Sequence, residues 1–263
     1  MLLSILLLLV SPAAADDGCA PITLRDLRDL PSPGVLVLGE SPGYASQLRR
    51  AARVVRALRD RGEPVTLAIE VLPETAGGPI EQLRGPDPDL DRAERDLRWS
   101  EHSDLPFAAY RPLLALGLTT VPRAVTLRPV GPPEDLQPTG TPDLSTALLR
   151  RIEDLAGPTL PLQARHRVAA ARATADARIA ETALAGWGGE GVLILVVDRG
   201  RVAGRGGLPS QLKKRTEAPV WAATLDWRDH DCLDGLWQWS EPTLRLSLPA
   251  LFRQERRDEG PES

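Results

Sequence analysis

The sequence predicts a single α/β domain with a mainly parallel sheet, and three observations carry that reading. Short Val/Leu/Ile-rich runs at 35–40, 65–71 and 191–198 lack polar alternation, the pattern of strands buried on both faces. Amphipathic segments of helical period lie between such runs, and strand and helix patterns alternate along the chain. The 263 residues, 42% of them hydrophobic, suffice for one large domain with a true core.

The elements follow in order. VLVLGE (35–40) reads as a central strand. From 45 to 61 apolar residues recur at Leu48, Ala51, Ala52, Val55 and Leu58, a helix that Gly62 stops. VTLAIEV (65–71) is a second buried strand, so 35–71 reads as a βαβ unit. The stretch 73–89 is a Pro/Gly-rich excursion, 90–98 a polar helix and 107–116 another short helix. A third strand is expected over 118–125, weakened by Pro122. The proline-rich 128–143 reads as a long loop, and 144–155 and 164–186 as helices, the second alanine-rich. GVLILVVD (191–198) is the strongest strand. A glycine-rich turn (200–207), a short helix from Leu208 and a strand at 219–227 follow. TLRLSLP (243–249) alternates, as an edge strand does.

The two ends add an expectation about location. Residues 1–15 hold an apolar run and then Ala13-Ala14-Ala15, the pattern of a signal peptide with a small-x-small cleavage site. The mature domain is then 16–252, and the charged 253–263 reads as a disordered tail. The expected location is the periplasm or cell envelope. In an exported chain Cys19 and Cys232 suggest a disulfide between them; two unpaired thiols, or a lipid anchor at Cys19, are the other readings. The net charge of −4 is mild, so neither a nucleic-acid binder nor a polybasic membrane-surface protein is expected.

Ligands of open parallel sheets bind at the carboxyl ends of the strands, and Glu40, Glu70 and Asp198 stand there. Glu70 lies in an apolar run, and a buried carboxylate must find a partner or stay protonated. Two such acids can form an acid/base pair or bind a hard cation; each can equally cap a helix or pair with arginine. His102, His166 and His230 lie far apart, without metal-ligand spacing, and read as surface or packed histidines. No G-x-S-x-G, G-x-G-x-x-G or Walker pattern stands in a suitable context.

Five segments go further when taken together: Leu38-Gly39-Glu40-Ser41-Pro42; Ala68-Ile69-Glu70-Val71; Trp99 with Phe107 and Tyr110-Arg111-Pro112; Asp176-Ala177; and Asp198-Arg199-Gly200-Arg201-Val202 with Gly207-Leu208-Pro209. Their order and spacing resemble the ChaN-like haem-binding uptake proteins of the Tiki/erythromycin-esterase superfamily, over roughly residues 30–225. Both histidines of the family pattern are replaced, by Pro42 and Arg201. Proline cannot ligate a metal, and arginine stays cationic.

The resemblance implies an exported ligand-binding protein for haem or iron uptake, with a degenerate superfamily site and a pocket of Glu40, Tyr44, Glu70, Tyr110 and Arg201. Arg201 is expected to pair with Glu40 or Glu70, or to clamp an anionic ligand. Haem, the implied cofactor, takes His, Met, Cys or Tyr as axial ligand. Met1 leaves with the signal peptide, so Tyr44, Tyr110, the histidines and any free cysteine remain, and Tyr44 stands out four residues past Glu40. The alternatives are a metal-dependent hydrolase using Glu40, Glu70 and Asp176, or a pseudoenzyme holding an envelope protein partner through Trp221, Trp227, Trp237 and Trp239. A homodimer stays open.

Overall fold

The computed structural model describes residues 30–121, 124–132, 161–202, 207–225 and 235–236. The signal-peptide, tail and disulfide expectations, the helix at 144–155, the strand at 243–249 and three of the four C-terminal tryptophans lie outside these residues.

Six strands form one sheet: β1 (Gly34–Glu40), β2 (Val65–Pro73), β3 (Val125–Gly131), β4 (Val192–Asp198), β5 (Val220–Thr224) and the two-residue β6 (Gly235–Leu236). Their order is β3-β2-β4-β1-β5-β6, and every described pairing is parallel. The expected α/β class is therefore the observed one. β1 and β2 are parallel but not neighbours, because β4 lies between them. All of β1 and nearly all of β4 are buried, as continuous apolar runs require when helices cover both faces. Each fully buried Val, Leu or Ile contributes roughly 1.5–3 kcal/mol relative to exposure.

Alternation along the strands sorts side chains into two cores. Leu36, Leu38, Leu67, Ile69, Ile194 and Val196 face one way. There they meet α1 (Ala45–Asp60) and α5 (Phe107–Leu118), which pack together, beside α2 (Gly77–Leu83) and α3 (Leu90–Asp96). Val35, Val37, Ala68, Leu193, Leu195 and Val197 face the other way. They meet α6 (Leu162–Trp187) and α8 (Leu208–Lys213). The buried stripe of α6 is Ala169, Ala173, Asp176, Ile179, Ala180, Ala183 and Trp187, the three- and four-residue spacing of one helix face. Gly188, at φ 72°, ends α6 in the left-handed cap conformation that glycine adopts without strain.

Three local expectations are corrected. The third strand is Val125–Gly131, not 118–125, because Leu116 and Leu118 belong to the buried face of α5. The proline-rich segment joins the sheet as far as Gly131. β3 has only β2 as a described neighbour, and an edge strand tolerates the missing N–H of Pro129. The glycine-rich turn begins as a helix, α7 (Arg199–Val202), directly on β4.

That last element depends on Gly39. A Cβ there would sit 2.7 Å from Val202 Cγ2 and 3.0 Å from Arg199 Cα. Gly39→Ala is expected to push α7 off β1 and to cost about 1–3 kcal/mol. Urea unfolding measures it, and an unchanged midpoint would show that α7 does not need this close approach.

Candidate functional site

The carboxyl ends of β1, β2 and β4 converge. Glu40 pairs in register with Asp198, and Ile69 with Val196, so Glu70 falls beside the end of β4. The β2–β3 register shifts between Ile69 and Pro73, an irregularity of the kind that re-aims side chains at sites. Glu40 shares the parity of Leu36 and Leu38, and Glu70 that of Ala68. The two acids thus leave the sheet on opposite faces and meet different partners.

Glu40 is 4% exposed. The hydroxyl of Tyr110 on α5 donates to its Oε1 at 2.7 Å, and its Oε2 is buried without a partner. Burial pushes Glu40 up to about 7; the Tyr110 hydrogen bond partly offsets this, and Asp198 and Glu70 push the same way as burial. Tyr110 is itself 1% exposed. Its ring lies 5.1 Å from that of Trp99, which also packs edge-on against Phe107. Burial, then the adjacent Glu40, raise the phenol well above its ordinary range.

Glu70 belongs to the other face. Its Oε1 accepts from Arg201 Nε at 2.5 Å and its Oε2 from the Asp198 backbone N–H at 2.9 Å. Arg201 Nη1 donates to Asp176 Oδ1 at 2.7 Å. Asp176, wholly buried on α6, keeps Oδ2 without a partner. Burial pushes Asp176 up to about 6 against the opposing pull of Arg201. Of the two pairings expected for Arg201, the one with Glu70 forms. The one with Glu40 does not, because Glu40 points to the α5 side. Asp176 is the second partner.

A cavity of about 670 Å³ opens over these strand ends, within the usual range for small-molecule sites. Glu40, Glu70, Asp198 and Arg201 line its inner end, with Tyr110. Pro42, Val71, Leu105 and Val196 supply apolar wall, and Glu74, Glu101 and His102 stand at the mouth. Glu74 is bound by Arg178 through two contacts of 2.7 and 2.6 Å, and Arg178 holds it below the usual carboxylate range. Glu101 is bound by Arg98.

The mouth depends on a backbone feature. Arg98 adopts φ 51°, an uncommon left-handed conformation for a residue with a side chain. It separates α3 from α4 (Trp99–His102) and turns α4 toward the strand ends.

Of the expected pocket residues, Glu40, Glu70, Tyr110 and Arg201 line the cavity. Tyr44 does not: it stands at the start of α1, 62% exposed. Asp176 lies behind the wall, reached through Arg201. Glu74 and Glu101 were not expected, and His102 was expected only as one of three histidines left open as haem ligands. They follow β2 by a few residues or sit on a four-residue helix, and no spacing marks them. Arg172 was also missed, although it lies one turn before Asp176; its Nη2 is 3.7 Å from Asp198 Oδ1. Among the described residues no group of three or more His, Cys, Asp or Glu is arranged to hold a metal ion.

No protein-family model matches the sequence, and no curated protein matches it. Among solved structures, the haem-bound ChaN of Campylobacter jejuni superposes with a TM-score of 0.60 at 14% identity, covering 81% of this chain and 89% of that one. The type III effector HopBA1 gives 0.43 at 11%, covering 82% and 91%. The C-terminal region of Pasteurella multocida toxin gives 0.44 at 13%, covering 83% of this chain and 26% of that one. At these identities the likeness to ChaN is one of fold: the chain is an α/β protein with a ChaN-like fold.

Proposed function

We propose that this chain is an exported ligand-binding protein and that the cavity over β1, β2 and β4 takes haem. The observation that carries this is the cavity itself, placed where open parallel sheets bind ligands, in a fold shared with a protein described as binding haem. Pro42, Val71, Leu105 and Val196 give the cavity apolar wall, while its five acids, Glu40, Glu70, Glu74, Glu101 and Asp198, outnumber its one arginine, Arg201. Two of the acids, Glu101 and Glu74, are paired with Arg98 and Arg178, which lie outside the lining. His102 offers a nitrogen donor. Bound haem would supply an iron centre, and the residues of the cavity wall would hold, orient and shield it. Arg201 is held by both Glu70 and Asp176, which suits a pocket-shaping role better than catalysis.

Titration of the purified protein with haemin is expected to give a saturable Soret band at one haem per cavity. A titration that never departs from free haemin would remove this reading.

A metal-dependent hydrolase of the Tiki or esterase type is the second reading, favoured by one observation. Glu40 lines the cavity and is pushed by burial to about 7, with its Oε2 buried and without a partner, a pKa suited to a general acid or base. It requires esterase or peptidase turnover that Glu40→Gln abolishes, in protein that does not bind haemin.

A further inference from the structure

We infer that the cavity over the strand ends takes an organic cation, a protonated amine on an apolar body, with its charged nitrogen seated against Glu40. The inference goes beyond the haem reading and does not rest on it: it names a second class of ligand for the same cavity.

The first observation is a shortage of positive charge. The five acids of the lining face one arginine, Arg201, and Arg201 is divided between Glu70 and the buried Asp176. Arg178 and Arg98 serve Glu74 and Glu101 from outside the lining, and Arg172 stands 3.7 Å from Asp198. Among the described residues Glu40 has no arginine or lysine beside it; its one donor is the Tyr110 hydroxyl.

The second observation is independent of that balance. Glu40 is 4% exposed, and its Oε2 is buried with no donor from the chain. A buried acceptor left unpaired is costly and calls for a partner. The groups that face Glu40 from other elements are Tyr110 on α5, Asp198 at the end of β4 and Glu70 at the end of β2, and the two acids both disfavour its ionisation. A cation bearing N–H groups meets both conditions. It gives the carboxylate a donor, and it gives three neighbouring strand ends a counter-charge.

The surroundings select the kind of cation. Among the described residues no three His, Cys, Asp or Glu are arranged for a metal ion, and a hard divalent ion asks for six or more oxygen ligands. Pro42, Val71, Leu105 and Val196 suit a hydrocarbon body instead, and a cavity of about 670 Å³ has room for one.

The test is isothermal titration calorimetry of the full chain and of Glu40→Gln with hexylamine, hexanol and hexanoate. Hexylamine is expected to bind at least about tenfold more tightly than hexanol, as a charge-assisted hydrogen bond at a buried acceptor implies, and hexanoate more weakly than either. Affinity for the amine is expected to rise with pH through about 7, because the cation favours the ionised form of Glu40. At about pH 6, binding then releases a proton, read from the dependence of the heat on buffer ionisation enthalpy. Glu40→Gln is expected to lose the amine preference and the proton release together, while its unchanged affinity for hexanol reports an intact cavity. Equal affinity for amine and alcohol, no binding of hexylamine, or an amine preference that Glu40→Gln retains overturns the inference. Haemin titrated into the same samples reports on the haem reading alone, so the two can fail separately.

Discussion

Replacing Arg201 with methionine is expected to lower the unfolding free energy at pH 8 by about 3–5 kcal/mol, the usual consequence of removing one partner from a buried ion pair. Arg201 is the shared cation of Glu70 and Asp176, at side-chain exposures of 15%, 18% and 0%. Without it Asp176 keeps two buried oxygens and no cation at hydrogen-bond distance. Methionine fills much of the volume, so the loss reports charge rather than a void. The loss should shrink at pH 5, because Asp176, already raised to about 6 with Arg201 present, can take up a proton. Urea titrations at the two pH values measure both quantities. A loss below about 1 kcal/mol at pH 8 would place this cluster with solvent-screened surface pairs.

Glu40→Gln has the opposite sign and is the second large effect. Burial pushes the Glu40 carboxyl up to about 7 in the folded chain, above the 4.5 usual for a glutamate. Between those values the folded state keeps a proton that the unfolded chain has shed. Stability therefore falls as pH rises through this window, and the penalty is complete above 7, at roughly 3 kcal/mol. Glutamine keeps an oxygen to accept from Tyr110 and carries no charge. The variant is expected to be more stable than wild type by about 1–3 kcal/mol at pH 8 and equal to it at pH 4.5. Asp176 carries the same sign, so a residual slope between about 4 and 6 should survive the substitution. An acid that destabilises its own fold at neutral pH fits a residue kept for the cavity. A variant no more stable at pH 8 than at pH 4.5, relative to wild type, would mean that Glu40 is solvated.

The class of the fold was legible because buried parallel strands write themselves as unbroken apolar runs, and 35–40, 65–71 and 191–198 did so. Glu40, Glu70 and Asp198 were legible for the same reason, as the polar residues that end those runs. The division of labour between Glu40 and Glu70 was present in their parity: one continues Leu36 and Leu38, the other Ala68. It could be used only once it was known which helix covers which face. The edge strand β3 was misplaced because edge strands accept Pro129 and Gly131, residues that look like a loop in a one-dimensional reading. Glu101 was invisible as a site residue, and His102 was not set apart from the other two histidines. They reach the strand ends only because the backbone reverses at Arg98, and a left-handed arginine leaves no mark in composition or period.

The place of β4 between β1 and β2 also fixes the order in which the molecule can be completed. The first βαβ segment leaves the ribosome with its two strands unable to pair with each other, because their shared partner begins at Val192. Until that strand arrives, each inner edge offers unpaired backbone groups to any passing chain. Contacts this distant in sequence close slowly. Such a polypeptide stays unfinished through most of its synthesis, until the central strand slides in between the two that wait for it.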